Sequence, residues 1–348
     1  IIGKKGVNQK NMKDIPVKDV YKYACEDADV TFRLKNILNK KIDELKLKDL
    51  FFKIEQPLLF VLSEVEGNGV KIDIDFLKVM SISLSKKIKD IEQKIYNKTG
   101  EIFNISSPKQ LGVILFEKLN IEEKPKKTKS GQYSTSEEVL LKLSKKNSIV
   151  NLVLDFREFK KLKSTYVDAL PEIVSSFDNL IHTNYTQTVT ATGRLSSNTP
   201  NLQNIPIKTK LGRETRSAFV PRKRSNLILA ADYSQVELRI MADFSGDQEM
   251  IRAFNNNKDI HTITASKVFN IPIKEVDSSM RRKAKEVNFG IIYGISPFGL
   301  SQNLNISRAS AKEIIDSYFE KFKDVKSYMD NIIIKARENK YVETLLGR

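Results

Sequence analysis

From Leu77 to Ile95 the apolar positions Leu77, Met80, Leu84, Ile88, Ile91 and Ile95 advance by three or four residues, while Lys86, Lys87, Lys89 and Lys94 fall between them. That spacing predicts an amphipathic helix with a single buried stripe, capped by Asp75 and stopped by Gly100. Ser107-Pro108 has the cap and first-turn proline of another helix, and Ile149, Leu152, Val153, Phe156 and Phe159 mark a third. Between them, residues 122–136 (EEKPKKTKSGQYSTS) break the pattern and predict a loop. Residues 180–192 are rich in Ile, Thr, Tyr and Val, as paired strands require.

The run Leu227, Ile228, Leu229, Ala230, Ala231 is too short for a buried helix and predicts a buried strand that ends at Asp232. Val236, Ile240 and Phe244, with Met241 beside them, then form the stripe of a helix starting near Ser234. Residues 279–294 (SMRRKAKEVNFGIIYG) predict a helix capped by Ser279 and stopped by Gly294. Arg281, Lys285, Phe289 and Tyr293 recur every four residues along it as one ribbon. Ala311, Ile314, Ile315, Tyr318 and Phe322 predict a further helix, followed by one over residues 325–339. The class expected is α+β, predominantly helical.

The chain has 348 residues, 40% of them apolar, enough for real cores in about two or three domains. Lys and Arg outnumber Asp and Glu by 59 to 43, a net charge of +16 that suits a polyanionic partner. One cysteine, Cys25, excludes a disulfide framework, and two histidines, His182 and His261, leave no zinc constellation. No apolar run reaches membrane-spanning length.

Two stretches carry candidate chemistry and a third carries candidate binding. A carboxylate at a strand tip, held by a packed helix, makes Asp232 a rigid place for a metal ion; the plainer alternative is a turn residue before a helix. Ser234 and Glu237 also fit a capping box. On residues 279–294 the cationic end suits phosphates and the aromatic end suits sugar and base, against the alternative of a solvated basic turn and a core aromatic pair. Lys126, Lys127 and Lys129, in the loop 122–136, suit a DNA backbone, or belong to a surface linker.

DYSQVELRI (232–240) and RRKAKEVNFGIIYG (281–294) resemble the first two polymerase signatures of the family A DNA polymerases, of the bacterial polymerase I type. TATGRLSSNTPNLQNIP (190–206) resembles a third block, and the likeness runs from YACEDADVTFRL (23–34) to YVETLLGR (341–348). The resemblance implies a right-hand architecture, with an antiparallel palm sheet and helical thumb and fingers. Its expected parts are an exonuclease-domain remnant (1–47), a lead-in to the palm (48–75), thumb (76–170), first part of the palm (171–245) and fingers (246–348). It implies template-directed DNA synthesis in replication and repair, with primer-template DNA and dNTPs as partners and two Mg²⁺ ions as cofactors. A monomer in the bacterial cytosol, associated with the nucleoid, is the natural setting.

Roles follow by matched position. The resemblance makes Asp232 a ligand of both metals, with the Tyr233 carbonyl as a further oxygen. Arg281 and Lys285 clamp the phosphates, with Lys285 protonating pyrophosphate. Phe289 packs on the sugar, Tyr293 supports the template-side stack, and Gln235 and His261, the latter in the element Asp259-Ile260-His261, lie on the nucleotide side. Glu237 excludes a ribose 2′-hydroxyl, and Phe289 disfavours dideoxynucleotides. Arg194, Asn201, Gln203, Thr165 and Tyr166 face DNA, and Tyr23 and Asp27 match the third exonuclease motif. The family's third signature, with a second metal-binding Asp, does not occur before Arg348, so an incomplete polymerase is expected. The alternatives are a non-catalytic DNA-binding fragment, a nuclease, and a relative of the single-subunit RNA polymerases, which Glu237 disfavours.

Overall fold

The six apolar residues spaced along 77–95 all face inward, and their helix joins two separate cores. The computed structural model describes every residue except Ile1, Lys5, Asn8, Lys145, Lys208 and Asn305. In chain order, helices α1 (Val17–Glu44), α2 (Lys48–Leu50) and α3 (Gln56–Asn68) precede strand β1 (Lys71–Ile72). Helices α4 (Ile74–Thr99), α5 (Pro108–Val113), α6 (Glu137–Ser144), α7 (Ser148–Leu162) and α8 (Ala169–Glu172) follow. Then come strands β2 (Asn184–Thr186) and β3 (Ser196–Asn198), helix α9 (Lys210–Arg216) and strand β4 (Phe219–Val220). The rest is helical: α10 (Val236–Ser245), α11 (Gln248–Asn255), α12 (Ile260–Val268), α13 (Ser278–Ile292), α14 (Pro297–Leu304), α15 (Arg308–Lys321) and α16 (Lys323–Asn339). The chain divides into two units, residues 1–229 and 230–348. It is predominantly helical, with two small antiparallel sheets among the described residues.

In the first unit, Leu77, Met80 and Leu84 of α4 pack with Leu162, Tyr166, Val167, Leu170 and Ile181. Further along the same stripe, Ile88, Ile91 and Ile95 pack with Leu111, Leu115, Leu140, Val153 and Phe156. The α4 cap is Asp73, whose carboxylate accepts the Phe76 N–H at 2.9 Å. The sequence pattern favoured Asp75, but β1 ends at Ile72, so the extended residue from which the helix can start is Asp73. Asp75 sits inside the first turn and pairs with Lys78 at 3.1 Å. Gly100, at φ +74°, closes α4 as expected. Ser107 caps α5 by accepting the Gln110 N–H, with Pro108 in the first turn.

Residues 122–136 form no helix. Their middle folds into a short hairpin, with a Lys127–Tyr133 bridge and the Thr128 N–H donating to the Gln132 carbonyl at 2.7 Å. Arg157 of α7 fastens the hairpin's end by donating to the Thr135 carbonyl and, at 3.0 Å, to its hydroxyl. The strands expected in 180–192 are realised as β2, paired with β3 in the register Asn184↔Asn198 to Thr186↔Ser196. Strand β1 pairs with β4.

The strand expected at 227–231 is not formed. Leu227 and Leu229 are almost fully exposed, and among the described residues no strand pairs with the run. An unpaired strand leaves its ladder groups to water, so an apolar run alone does not order it. Helix α1 buries none of its side chains, and Val30, Phe32 and Ile37 stand exposed on it. No helix is long and apolar enough to cross a membrane among the described residues.

Leu84 is 1% exposed where α4 meets α7 and the 163–170 segment. Leu84→Ala is therefore expected to destabilise the protein by about 2–5 kcal/mol. Asp73→Ala should cost about 1 kcal/mol and Asp75→Ala only a few tenths. Urea unfolding of the three variants checks this, and a larger loss at Asp75 than at Asp73 would return the cap to Asp75.

Candidate functional site

In the second unit, Leu238 and Ala242 of α10 pack into the same core as Met250, Ile260, Val287 and Ile291. The residue before α10, Gln235, is held at φ +53°, in the left-handed region that non-glycine residues rarely occupy. Holding it costs about 1–3 kcal/mol, and such residues gather at functional sites. No side chain caps α10. The Ser234–Glu237 capping box is therefore a correction: the left-handed residue turns Ser234 out of capping position. Arg239 donates instead to the Ser234 carbonyl at 3.0 Å, and Glu237 accepts a hydrogen bond from the Tyr293 hydroxyl at 2.8 Å. The Gln235 Oε1 atom is buried with no hydrogen-bond partner among the described residues.

Helix α13 is capped by Asp277, which accepts the Met280 N–H at 2.7 Å, two residues ahead of the expected Ser279. Gly294, at φ +75°, follows its end. The four-residue ribbon is realised. Lys285 Nζ lies 5.7 Å from the Phe289 ring centre, and the Phe289 and Tyr293 rings stack at 6.5 Å. Arg281 pairs with Asp259, the cap of α12. Burial alone would raise the Asp259 pKa, but the bonds from Arg281 and Thr262 and the Arg281 charge hold it below the usual carboxylate range.

His261, the second residue of α12, is 1% exposed, and its ring lies 5.8 Å from that of Phe289. Asn288 is fully buried; its side-chain amide donates to His261 Nδ1 at 2.9 Å, while its carbonyl accepts the Thr264 hydroxyl at 2.9 Å. A donor on Nδ1 leaves the proton of the neutral ring on Nε2. Burial pushes the His261 pKa down to about 4, with the Arg281 and Lys285 charges adding to the effect and Asp259 opposing it.

These elements enclose one cavity of about 370 Å³. Asp232, Tyr233, Ser234, Gln235, Val236 and Glu237 line one side, and His261, Arg281, Lys285 and Phe289 the rest. Tyr293 stands outside the lining, tied to it through Phe289 and Glu237. The sequence reading passed over Asn288; the available signal was a polar residue on the buried face shared with Ala284 and Ile291.

No group of three or more His, Cys, Asp or Glu suited to a metal occurs among the described residues. Mg²⁺ is commonly held by one or two carboxylates, with substrate phosphates and water completing the octahedron. Asp232 and the Tyr233 carbonyl fit as such a partial set, whereas Glu237 is engaged by Tyr293.

The candidates in the first unit divide. Lys126, Lys127, Lys129, Thr165 and Arg194 are exposed, and Lys127 Nζ lies 5.1 Å from the Tyr133 ring centre. Asn201 accepts the Gln203 and Asn204 N–H groups, and Gln203 accepts the Ser197 N–H, so both side chains shape their own loop. Tyr166 corrects the expectation of a DNA-facing residue. It is 5% exposed, and its hydroxyl donates to the Asn204 carbonyl at 2.6 Å, so its apolar ring is more stable in the core. Tyr23 and Asp27 lie one turn apart on α1, where the Asp27 carboxylate holds the tyrosine proton and raises the Tyr23 pKa.

A cleft in which Asp232 and a Glu237 already engaged by Tyr293 share the lining with two cations and an aromatic ring of α13 is suited to a nucleoside triphosphate. Sequence comparison gives the class: residues 74–348 match DNA polymerase family A, and the chain belongs to that family. It is 50% identical to DNA polymerase I of Bacillus subtilis strain 168, over 90% of this chain and 36% of that protein. It is 44% identical to DNA polymerase I of Chloroflexus aurantiacus, over 100% of this chain and 37% of the other. The chain thus spans little more than a third of the length of these relatives. Among solved structures, the POL domain of Pol1 from M. smegmatis, in complex with DNA primer-template and dNTP, superposes with a TM-score of 0.82 at 38% identity, over 91% of this chain and 56% of that one.

The His261 ring should titrate in the native protein at about 4 against 6.5 in the unfolded chain. Its ring-proton resonances report this, with His182 as the internal comparison. As pH falls from 6.5 towards 4 the unfolded chain takes up this proton first, so stability that is full above 6.5 is lost across that window. His261→Gln should lose less stability over the same window in thermal unfolding. An equal loss would mean the ring carries no linkage.

Proposed function

We propose that the chain carries the nucleotide-selecting part of a DNA-directed DNA polymerase, which transfers a deoxynucleotide from dNTP to a primer 3′-hydroxyl on a template. The observation that carries this reading is the single cavity lined by Asp232 from one side and by Arg281, Lys285 and Phe289 from the other. Family membership and the likeness to a polymerase domain in complex with primer-template and dNTP support it. The setting in this reading is that expected from the family resemblance, replication and repair in the bacterial cytosol on the nucleoid.

In this reading the triphosphate lies along α13, with its anionic oxygens on Arg281 and Lys285 and its sugar against Phe289. Lys285 is placed to give a proton to the pyrophosphate oxygen as it leaves. Asp232 and the Tyr233 carbonyl would hold Mg²⁺, which when bound lowers the pKa of the primer hydroxyl and offsets phosphate charge. Glu237, which lines the cavity and accepts the Tyr293 hydroxyl bond, is assigned in this reading the exclusion of a ribose 2′-hydroxyl. His261 is neutral above its depressed pKa and offers an N–H without adding a third charge beside two cations. Lys126, Lys127, Lys129 and Arg194 supply phosphate and groove contacts that position DNA without reading sequence. Residues 76–170 act as thumb, 171–245 as the first part of the palm and 246–348 as fingers.

Two experiments test the assignment. With primer-template present, Lys285→Ala and Arg281→Ala are each expected to weaken dNTP binding by about ten- to a hundredfold, and Asp232→Asn to slow primer extension about a hundredfold or more. Unchanged dNTP affinity in both cation variants would remove the triphosphate from α13. For sugar selection, Glu237→Ala should raise ribonucleotide use relative to deoxynucleotide about tenfold or more, with Tyr293→Phe intermediate. Single-nucleotide incorporation measures the ratio, and no change in Glu237→Ala would refute the steric role.

A further inference from the structure

Helix α13 has a second cleft on its other face. Val287 is two residues from both Lys285 and Phe289, hence about 200° around the helix from each. It lines a cleft of about 390 Å³ closed by α12 and α15, within the range of small-molecule sites. Ile263, Val268, Ile314 and Phe322 give it an apolar wall, and Lys267 and Lys321 bring two ammonium groups to it. Glu313 also lines the cleft, but among the described residues neither lysine forms an ion pair with it or with any other carboxylate. Burial, then the charges of Lys267 and Lys258, hold the Lys321 pKa below the usual lysine range, against the pull of Glu249.

We propose that this cleft is a binding site for a small amphiphilic monocarboxylate, its hydrocarbon body against Ile263, Ile314 and Phe322 and its carboxylate between Lys267 and Lys321. A bare phosphate would leave the apolar wall wet, and a neutral hydrocarbon would leave the mutual repulsion of Lys267 and Lys321 unrelieved. The occupant would also touch Thr264, which lines the cleft and donates to Asn288, the residue that bonds to His261 in the nucleotide-side cavity. The site does not depend on the polymerase reading, because its evidence is the cleft itself.

The test is calorimetric titration of the whole chain with octanoate, octanol, octylamine and inorganic phosphate. Octanoate should bind at about 1 mM or tighter and at least about tenfold more tightly than each of the other three. Lys321→Met should weaken octanoate by about tenfold and leave octanol unchanged, and Ile314→Trp, by filling the cleft, should abolish octanoate binding. In wild type, octanoate should move the His261 ring resonances and not those of His182; in Thr264→Val that movement should be lost while binding persists. Equal binding of octanoate and octanol, phosphate binding as tight as octanoate, undiminished binding in Lys321→Met, or no octanoate binding would each overturn the proposal.

Discussion

The hydrogen-bonded chain from Thr264 through Asn288 to His261 fixes how α12 lies against α13. All three side chains are buried, and a buried amide left unpaired costs more than a hydrogen bond returns, so only one register of the two helices satisfies the set. With that register fixed, the α12 cap, Asp259, meets Arg281 on the first turn of α13, and His261 lies beside Phe289. The polar chain therefore sets the spacing of the groups that face the cavity. An apolar pair at 264 and 288 would fill the same volume, but it would let the helices slide, because hydrophobic contact has no preferred direction.

Opposite α13, the wall is a turn. Residues 232–235 present Asp232 on irregular backbone, which is held by the Arg239 bond to the Ser234 carbonyl and by the strained Gln235. Strain of this size persists only where the surroundings enforce it. Here the enforcement comes from α10, anchored by Leu238 and Ala242 in the core of the second unit. Leaving α10 without a side-chain cap gives up about 1 kcal/mol, and in return the Glu237 carboxylate is available to the Tyr293 hydroxyl beyond the end of α13.

Periodicity made the helices legible, and composition marked the strand region 180–192, where β2 forms against β3. The stripe on α4 was readable residue by residue because each apolar side chain reports its own face. At 227–231 the same apolar signal failed, since a strand exists through partners that its own residues do not encode. Cap positions were readable only to within about a turn: Asp73 and Asp277 displaced Asp75 and Ser279 because each lies at the last extended residue, which local pattern does not mark. The convergence of Asp232, Arg281, Lys285 and Phe289 was legible from family motifs rather than from physics. Asn288 and Thr264 escaped notice because a polar residue on a helix reads as solvated until its burial is known. Tyr166 was placed on the DNA side by matched position alone, and position in a motif does not report that the ring is buried with its hydroxyl on the Asn204 carbonyl.

The two cations of the cavity are not equivalent. Arg281 is already compensated by Asp259, so a phosphate that takes it must either displace or share that carboxylate, and the gain is an exchange. Lys285 lies 5.7 Å from the Phe289 ring centre and forms no ion pair among the described residues, so its charge is compensated less directly than that of Arg281. Electrostatic gain on binding an anion is largest where the resting state compensates least. Lys285 should therefore contribute more to affinity, and Arg281, with its fixed planar fork, more to orientation. A neutral His261 beside them keeps the local charge at the value that Asp259 can still hold in place.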